Sequence, residues 1–450
     1  MDYEFRVIVE KVSITSQEVV KRDTLKIYAI KQPKSILDLG LRHEEQISLL
    51  SKVQSALLAE QSTLIDIGLK QCTKCGEKLG KLGFISSTFH AVFSDHKLRI
   101  QKHRCKNPEC RWQSTPTTIS VFGTDTHPDL VKLQCENGAL HSYREAQDNM
   151  ERLNTQRRSV NNHVQIKNVT NQVGERLSQV NTTPPNLEEL PTPAAELIAQ
   201  VDGGHISTKD KDKRSFEALS GIVYRPSAIE VVDKHHRQIT EKTCVVSALE
   251  DELQTIKTYL HHAALKQGMT QETKITALAD GAHNCWSVIL ALEPHCKTLD
   301  LILDWFHIGK KFQNVSNALG DTFTDSLDSA KWSLWHEKVD NALQKIALLR
   351  DNISDEKKQT KLKSLHDYLK NNRDYLVNYD DREKAGLAYT NQVAETHIDT
   401  IINARHKKKQ KMQWTRVGAH NVLQIRASMI SNEWSDKWLD LVLPEEEKAA

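Results

Sequence analysis

Three short apolar runs in the C-terminal half of this chain each end in an aspartate, and that placement constrains the fold more than any other feature. Leu197, Ile198, Ala199 and Val201 lead to Asp202, which opens Asp-Gly-Gly-His. Ile275, Ala277, Leu278 and Ala279 lead to Asp280 and Asp-Gly-Ala-His. Leu299, Leu301, Ile302 and Leu303 lead to Asp304 and Asp-Trp-Phe-His. Runs this short and apolar read as buried strands of a mixed or parallel sheet. A carboxylate at each exit then falls along one sheet edge, where open α/β folds place their chemistry. Glu395 adds a fourth carboxylate on a later helical stretch. One Asp-Gly alone is common turn text; the set of three exits is not. Like charges gathered this way repel unless a cation lies between them, and hard oxygen ligands select Mg²⁺ or Mn²⁺. Two such ions would suit phosphoryl transfer on nucleic acid.

The length of 450 residues points to two to four domains, and 38% hydrophobic residues suffice for a proper core. No run reaches the eighteen or so apolar residues of a membrane span, and Met1-Asp2-Tyr3-Glu4 does not open a secretory signal. The expectation is a soluble, cytoplasmic protein with no membrane partner. A net charge of +2, from 61 basic and 59 acidic residues, says little about partners. Local clusters say more: Arg157-Arg158, Lys209 to Arg214, and Arg405-His406-Lys407-Lys408-Lys409-Gln410-Lys411. A charge run is usually a solvated face. The last one lies within three turns of Glu395, which raises it above that background.

Residues 1–66 mix alternating strands (Phe5, Val7, Val9, Val12) with a helix carrying Ile47, Leu49, Leu50, Val53, Leu57 and Leu58 at helical spacing, and no function attaches to them. Residues 67–125 hold Cys72-Thr73-Lys74-Cys75 and Cys105-Lys106-Asn107-Pro108-Glu109-Cys110, separated by strand-like text. Two cysteine pairs on tight turns supply the four soft ligands of a tetrahedral Zn²⁺, and four thiolates leave no open position, so the expected role is structural. Cys135, Cys244, Cys285 and Cys296 have no partner spacing and read as small buried hydrophobes. His103 beside the second knuckle reads as a surface residue ahead of a substitute ligand.

Residues 126–180 read as helices. Ser142 with Glu145 three residues on is a capping signal, and Val164, Ile166, Val169, Val173, Leu177 and Val180 form one stripe. Two short helices joined by a turn fit a helix-turn-helix, and fit an ordinary helical hairpin equally well. Four of the eleven prolines (Pro184, Pro185, Pro191, Pro193) mark a linker at 181–193. Residues 194–430 then form one domain, running strand, strand, strand, helix, strand, helix, strand, helix to about Leu319. A polar helical insertion at 330–388 follows, and residues 431–450 form a tail.

The same residues carry a family resemblance. Val201-Asp202-Gly203-Gly204, Ala279-Asp280-Gly281-Ala282, Asp304-Trp305-Phe306-His307 and a C-terminal block are its most specific parts. That block runs from Glu395 through Asn403-Ala404-Arg405-His406-Lys407-Lys408, Gln413-Trp414 and Gly418-Ala419 to Leu423-Gln424-Ile425-Arg426. From the zinc knuckles onward the chain resembles bacterial insertion-sequence transposases of the ISKra type, within the DDE superfamily.

The resemblance implies a ribonuclease H-like mixed-sheet core with a helical insertion, preceded by zinc-ribbon and helix-turn-helix-like modules. It implies that Asp202, Asp280 and Glu395 hold two Mg²⁺ or Mn²⁺ ions, with Asp304 and His307 beside the site. Asp304 reads equally as a plain helix cap, and His205 and His283 as surface or supporting groups. Relatives often show a Gly-Ser-Gly turn before the glutamate where this chain has Ala388-Tyr389-Thr390-Asn391-Gln392; Glu383 is the nearby competitor and ranks behind.

The implied activity is cleavage at the element's ends and transfer of the freed 3′-hydroxyl to target DNA, by a nucleoid-associated protein that oligomerises on DNA. Arg405, Lys407, Lys408 and Lys409 are expected on phosphates near the cut, and Trp414 against an unpaired base. Two alternatives share much of the pattern: a non-catalytic DNA-binding derivative of such an element, and a structure-specific nuclease or resolvase on the same core.

Overall fold

The computed structural model describes residues 3–65, 71–72, 74–114, 125–186, 188, 190–231, 237–390, 399–408 and 412–442. It is a mixed α/β chain of two compact units, Met1–Thr170 with Asp440–Ala450, and Asn171–Leu439.

The first unit opens with an antiparallel hairpin of β1 (Tyr3–Val12) and β2 (Val19–Ile30), followed by α1 (His43–Ile65). Of the apolar stripe expected on α1, Ile47 is buried, Leu49 and Leu58 are half-buried, and Leu50, Val53 and Leu57 are exposed.

Strands β3 (Leu79–His90), β4 (Asp95–Cys105) and β5 (Gln113–Ser114) form an antiparallel sheet. His96, Leu98 and Ile100 alternate inward along β4, then Gln101, His103 and Cys105 are buried. The change of phase sits where β3 carries a bulge, between Lys81 and Gly83; a bulge adds twist and re-aims side chains. His103 is therefore buried, contrary to the surface position expected of it.

Helices α2 (Pro128–Leu140), α3 (Tyr143–Glu151) and α4 (His163–Thr182) follow. The capping box forms as its sequence foretells: Ser142 Oγ accepts from Glu145 N, and the Glu145 carboxylate accepts from Ser142 N. Leu130, Ala146, Met150, Val160 and Ile166 make the small core beneath these helices. On α4 the stripe holds at Ile166, Val169, Val173 and Leu177, while its ends, Val164 and Val180, are exposed.

Arg158, in the basic pair, is not a surface cation. Its guanidinium donates to Asp95, to Asn154 Oδ1 and to the carbonyls of Ala91, Val92 and Ser94. Those partners satisfy every direction of a buried planar donor.

The division between units falls inside α4, not in the proline-rich stretch. Residues after Pro191 are tied into the second unit: the Thr192 carbonyl accepts from Arg225, and Ala194 N donates to the Gly268 carbonyl at 2.8 Å.

The second unit carries β6 (Glu196–Ser207), β7 (Ser215–Tyr224), a short hairpin of β8 (Ile229–Val231) and β9 (Arg237–Ile239), and β10 (Thr243–Ser247). Then come α5 (Gln254–Lys266), β11 (Lys274–Ala279), α6 (His283–Ile289), β12 (Thr298–Leu303) and α7 (Trp305–Leu319). Apart from the added hairpin, this is the expected alternation.

The sheet order is β10-β7-β6-β11-β12. β6, β7 and β10 pair antiparallel, whereas β6, β11 and β12 pair parallel. β6 up to Val201 and most of β11 are buried on both faces, which is why their text is mainly apolar, with Gln200 and Thr276 the exceptions. β12 lies at the edge and alternates, with Asp300 exposed.

Helices α8 (Thr324–Trp335), α9 (Val339–Asp351), α10 (Glu356–Asn371) and α11 (Tyr379–Lys384) make the helical insertion. A π-helix (Asp399–Lys408), α12 (Arg416–Ile430) and α13 (Trp434–Val442) complete the described chain. No helix among the described residues is long and apolar enough to cross a membrane.

Candidate metal centre

Strand register brings the acidic residues together. Ala279 of β11 pairs with Val201 of β6 on one side and with Leu303 of β12 on the other. The next residue along each strand is an aspartate, so Asp202, Asp280 and Asp304 stand level across three neighbouring strands. Strands in a sheet lie about 4.8 Å apart, which sets the spacing of the row. Equal phase in three separate apolar runs thus becomes one cluster.

The local backbone differs at each position. Asp202 does not close its strand as expected: β6 runs on to Ser207, and Asp202 pairs with Ser220 of β7. The Asp-Gly-Gly-His segment is strand, not turn. Asp280 does end its strand. Its Oδ1 accepts from Ala282 N at 2.8 Å, and the chain reverses at Gly281 with φ +93°. A Cβ at Gly281 would lie 2.8 Å from Asn372 Oδ1, so both conformation and space require glycine there.

Asp304 is fully buried and caps α7, accepting from Phe306 N and His307 N at 3.2 Å each. The same carboxylate holds His307 Nδ1 at 2.6 Å. The expected helix cap is formed, and the same side chain also fixes His307. With Nδ1 tied to Asp304, Nε2 faces the centre, 3.8 Å from Asp202 Oδ2. One ligand atom each from Asp202, Asp280 and His307 lie within 4.8 Å of one another. This is a group able to hold a metal ion. An imidazole whose far nitrogen is fixed by a carboxylate is the usual support of a metal-binding histidine.

Electrostatics follow from burial and crowding. Burial pushes the Asp202 carboxyl up to about 6, with the Asp280 charge adding to the rise and His307 opposing it. For His307, burial pulls downward, but the bond to Asp304 and the charges of Asp304, Asp202 and Asp280 outweigh it and raise the imidazole. Burial also raises the neighbouring Cys285 thiol, and the charges of Asp280 and Asp202 raise it further. Each shift reports a negative, part-buried site of the kind a cation stabilises.

The helical insertion supports both turns through residues that sequence reading passed over. Tyr368 of α10 donates its hydroxyl to the Asp280 carbonyl at 2.8 Å, and Tyr379 of α11 donates to the Leu303 carbonyl at 2.7 Å. Asn372 packs against Gly281 and accepts from Trp286 Nε1 at 3.4 Å. No local signal marks these contacts, which span 76 to 88 residues of sequence.

His205 and His283 are exposed, as expected. Glu383 is exposed on α11 and accepts from Tyr389 Oη at 2.8 Å, away from the acidic group. Glu395 and Lys409 lie outside the described residues, as does the side chain of Lys408. Lys407 is exposed.

Arg405 and Trp414 correct the expectation of a DNA-facing pair. They are 2% and 5% exposed, and the guanidinium lies 4.8 Å from the indole ring centre. The His406 ring sits 4.5 Å from the same indole. Arg426, from the C-terminal block, donates to the Ile401 carbonyl at 2.7 Å and to the Thr400 carbonyl. The block's arginines and tryptophan thus build the seat of the π-helix. They are too buried to meet a phosphate or a base.

The four cysteines of the knuckles also converge. Cys72 Sγ lies 3.9 Å from Cys110 Sγ, Cys75 Sγ lies 3.4 Å from Cys105 Sγ, and all four fall within 4.8 Å of one another. Zinc–sulfur bonds of about 2.3 Å in a tetrahedron place sulfurs about 3.8 Å apart, so the set fits that ion. The residue after each knuckle's second cysteine is left-handed, Gly76 at φ +75° and Arg111 at φ +47°. Burial raises the Cys72 thiol, but the amides of Lys74 and Cys75 and the adjacent thiols bring it down to about 7. Cys135, Cys244 and Cys285 are buried as expected, and Cys296 is half-buried.

Compared with known protein families and with curated proteins, the chain matches none.

Asp304→Asn and His307→Ala separate the cap from the support. Asparagine keeps one of the two capping oxygens but loses the charge that holds His307, so the helix start is weakened but not lost and the fold should survive in both variants. Each is expected to weaken divalent-metal affinity about 10- to 100-fold, read by calorimetry. Unchanged metal binding in His307→Ala would remove the imidazole from the centre.

Proposed function

We propose that the chain is a metal-dependent DNA strand-transfer enzyme on a ribonuclease H-like core, a transposase of the ISKra type. The observation that carries this reading is the level row of Asp202, Asp280 and Asp304 with His307 turned into it. The sheet order supports it: three antiparallel strands continued by two parallel ones, with helices between, suit a ribonuclease H-like sheet. The short α2 and α3, followed by α4, fit a helix-turn-helix reader of element ends, and the cysteine set a structural zinc ribbon.

Asp202, Asp280 and His307 would hold a divalent ion, whose contribution is to neutralise charge at the phosphate undergoing displacement. An imidazole among carboxylates favours Mn²⁺ over Mg²⁺, since nitrogen ligands suit the softer ion. Asp304 keeps the His307 proton on Nδ1, and Tyr368 and Tyr379 hold the two ligand-bearing turns in place. The protein's share of the chemistry is positioning.

The test uses the full chain with DNA carrying the inverted repeats that flank its coding sequence. Cleavage at the repeat ends and joined products with a target duplex are expected in Mn²⁺, more slowly in Mg²⁺, and not in a chelator. Cleavage without joined products would favour a structure-specific nuclease, and binding without cleavage a DNA-binding derivative.

A further inference from the structure

Beside the centre lies a cavity of about 580 Å³, within the ~300–1,000 Å³ range of small-molecule sites. Its walls are mainly aromatic and cationic: Trp305 and Phe306 from the first turn of α7, Lys310 one turn on, and Lys331, Trp332 and Trp335 from α8.

The aromatic floor is rigid. Trp335 is buried, donates Nε1 to Asp380 at 3.3 Å, and stacks on Tyr379 with ring centres 6.1 Å apart. Trp305 meets Trp335 at 4.8 Å and Tyr379 at 4.7 Å. Trp332 stands on this floor, edge-on to Trp335 at 5.9 Å, yet it is 57% exposed. An exposed indole seated edge-on against a buried aromatic cluster leaves its flat face open to stack on a ligand ring.

Charge adds a second constraint. Lys310 Nζ lies 4.1 Å from the Phe306 ring centre and Lys331 Nζ 5.7 Å from that of Trp305, so the ammonium groups flank the aromatic surface. The carboxylate at the rim, Glu383, is engaged by the Tyr389 hydroxyl. Rings with flanking cations match a base with its phosphate, the arrangement by which proteins take single strands without reading sequence.

Position adds a third. Phe306 lines the groove, and its ring centre is 5.8 Å from that of His307 in the metal centre. We infer that the groove seats one unpaired DNA base, from a nucleotide adjoining the phosphate that a metal ion between Asp202, Asp280 and His307 would hold. This rests on the reading of that centre as one acting on a DNA strand. It assigns to Trp332 the stacking role that the burial of Trp414 rules out.

The test measures binding of the full chain to a single-stranded oligodeoxynucleotide and to the matching duplex, by anisotropy. A 2-aminopurine in the single strand reports stacking. Trp332→Ala should weaken single-strand binding about 5- to 150-fold, the effect of losing one stacked base. It should also abolish 2-aminopurine quenching and leave duplex binding within twofold; Trp332→Phe should retain most of both signals. Because Trp332 is largely exposed, its truncation leaves the core intact.

Wild-type affinity and quenching in Trp332→Ala would overturn the inference, even if metal-dependent cleavage is observed. So would a wild-type chain that does not bind the single strand. Loss of both signals in a protein that never cleaves DNA would leave the groove standing and remove the catalytic reading instead.

Discussion

Asp202→Asn and Asp280→Asn are each expected to reduce metal-dependent DNA cleavage by at least about 10³-fold while leaving DNA binding near the wild-type level. The magnitude follows from the several kcal/mol of transition-state charge stabilisation that a correctly held ion supplies. The fold should tolerate both changes. Asp202 is held by the backbone ladder to Ser220, and its Oδ1 accepts from its neighbour Gly203 N. At Asp280 the side-chain bond closing the turn is accepted by Oδ1 from Ala282 N, and an asparagine oxygen can accept it equally. What each variant loses is one of the two negative ligands in the group of Asp202, Asp280 and His307. Glu395→Gln is expected to behave alike, on the family resemblance alone. The measurement is a cleavage time course in Mn²⁺ beside a binding isotherm on the same DNA. Near wild-type cleavage by either aspartate variant would dismantle the centre as drawn.

Removing zinc is expected to have the second largest effect, on the first unit. The knuckles are two short turns with little core of their own: Cys72 N donates to Glu77 O at 2.7 Å and Cys105 N to Trp112 O at 2.7 Å, and the sulfurs supply the remaining convergence. Structural zinc sites of this type bind with apparent free energies of about 10–16 kcal/mol, and that binding is folding free energy for the module. The full chain should therefore carry one tightly held Zn²⁺ per molecule by elemental analysis. Chelation, or Cys75→Ser with Cys105→Ser, should cost the low-temperature part of the thermal unfolding profile and weaken binding to element ends. Metal binding at Asp202 and Asp280 should persist. A freshly purified full chain without stoichiometric zinc would end this assignment.

Local order was written openly in the chain. The apolar runs ending at Val201 and Ala279 announced buried strands because strands covered on both faces are mainly apolar, and the run ending at Leu303 announced an edge strand buried at its end. The cysteine spacings announced the sulfur cluster because a tetrahedral ion fixes how far apart paired ligands stand. Ser142 and Asp304 announced helix starts because free amides there need an acceptor. Periodicity, however, reports how a segment is used only after its partners are known. The stripe on α1 is regular yet half of it is exposed, and the Asp-Gly-Gly-His text that looks like a turn stays in β6 because β7 continues to pair with it.

Tertiary structure decided the rest. Register across β6, β11 and β12 levels the aspartates, and a 2.6 Å bond to Asp304 turns His307 into the centre, neither of which one-dimensional spacing can state. The cluster around Arg405 reads as cationic surface, but packing against Trp414 turns that arginine inward, while Trp332 is left outward on a buried aromatic floor. Sequence by itself determined which carboxylates and thiols end the apolar runs and the knuckles, because residue type and local burial are encoded within a few positions. Which way each one faces is set by contacts up to 88 residues apart, such as Tyr368 on Asp280, and those exist only once the chain has folded.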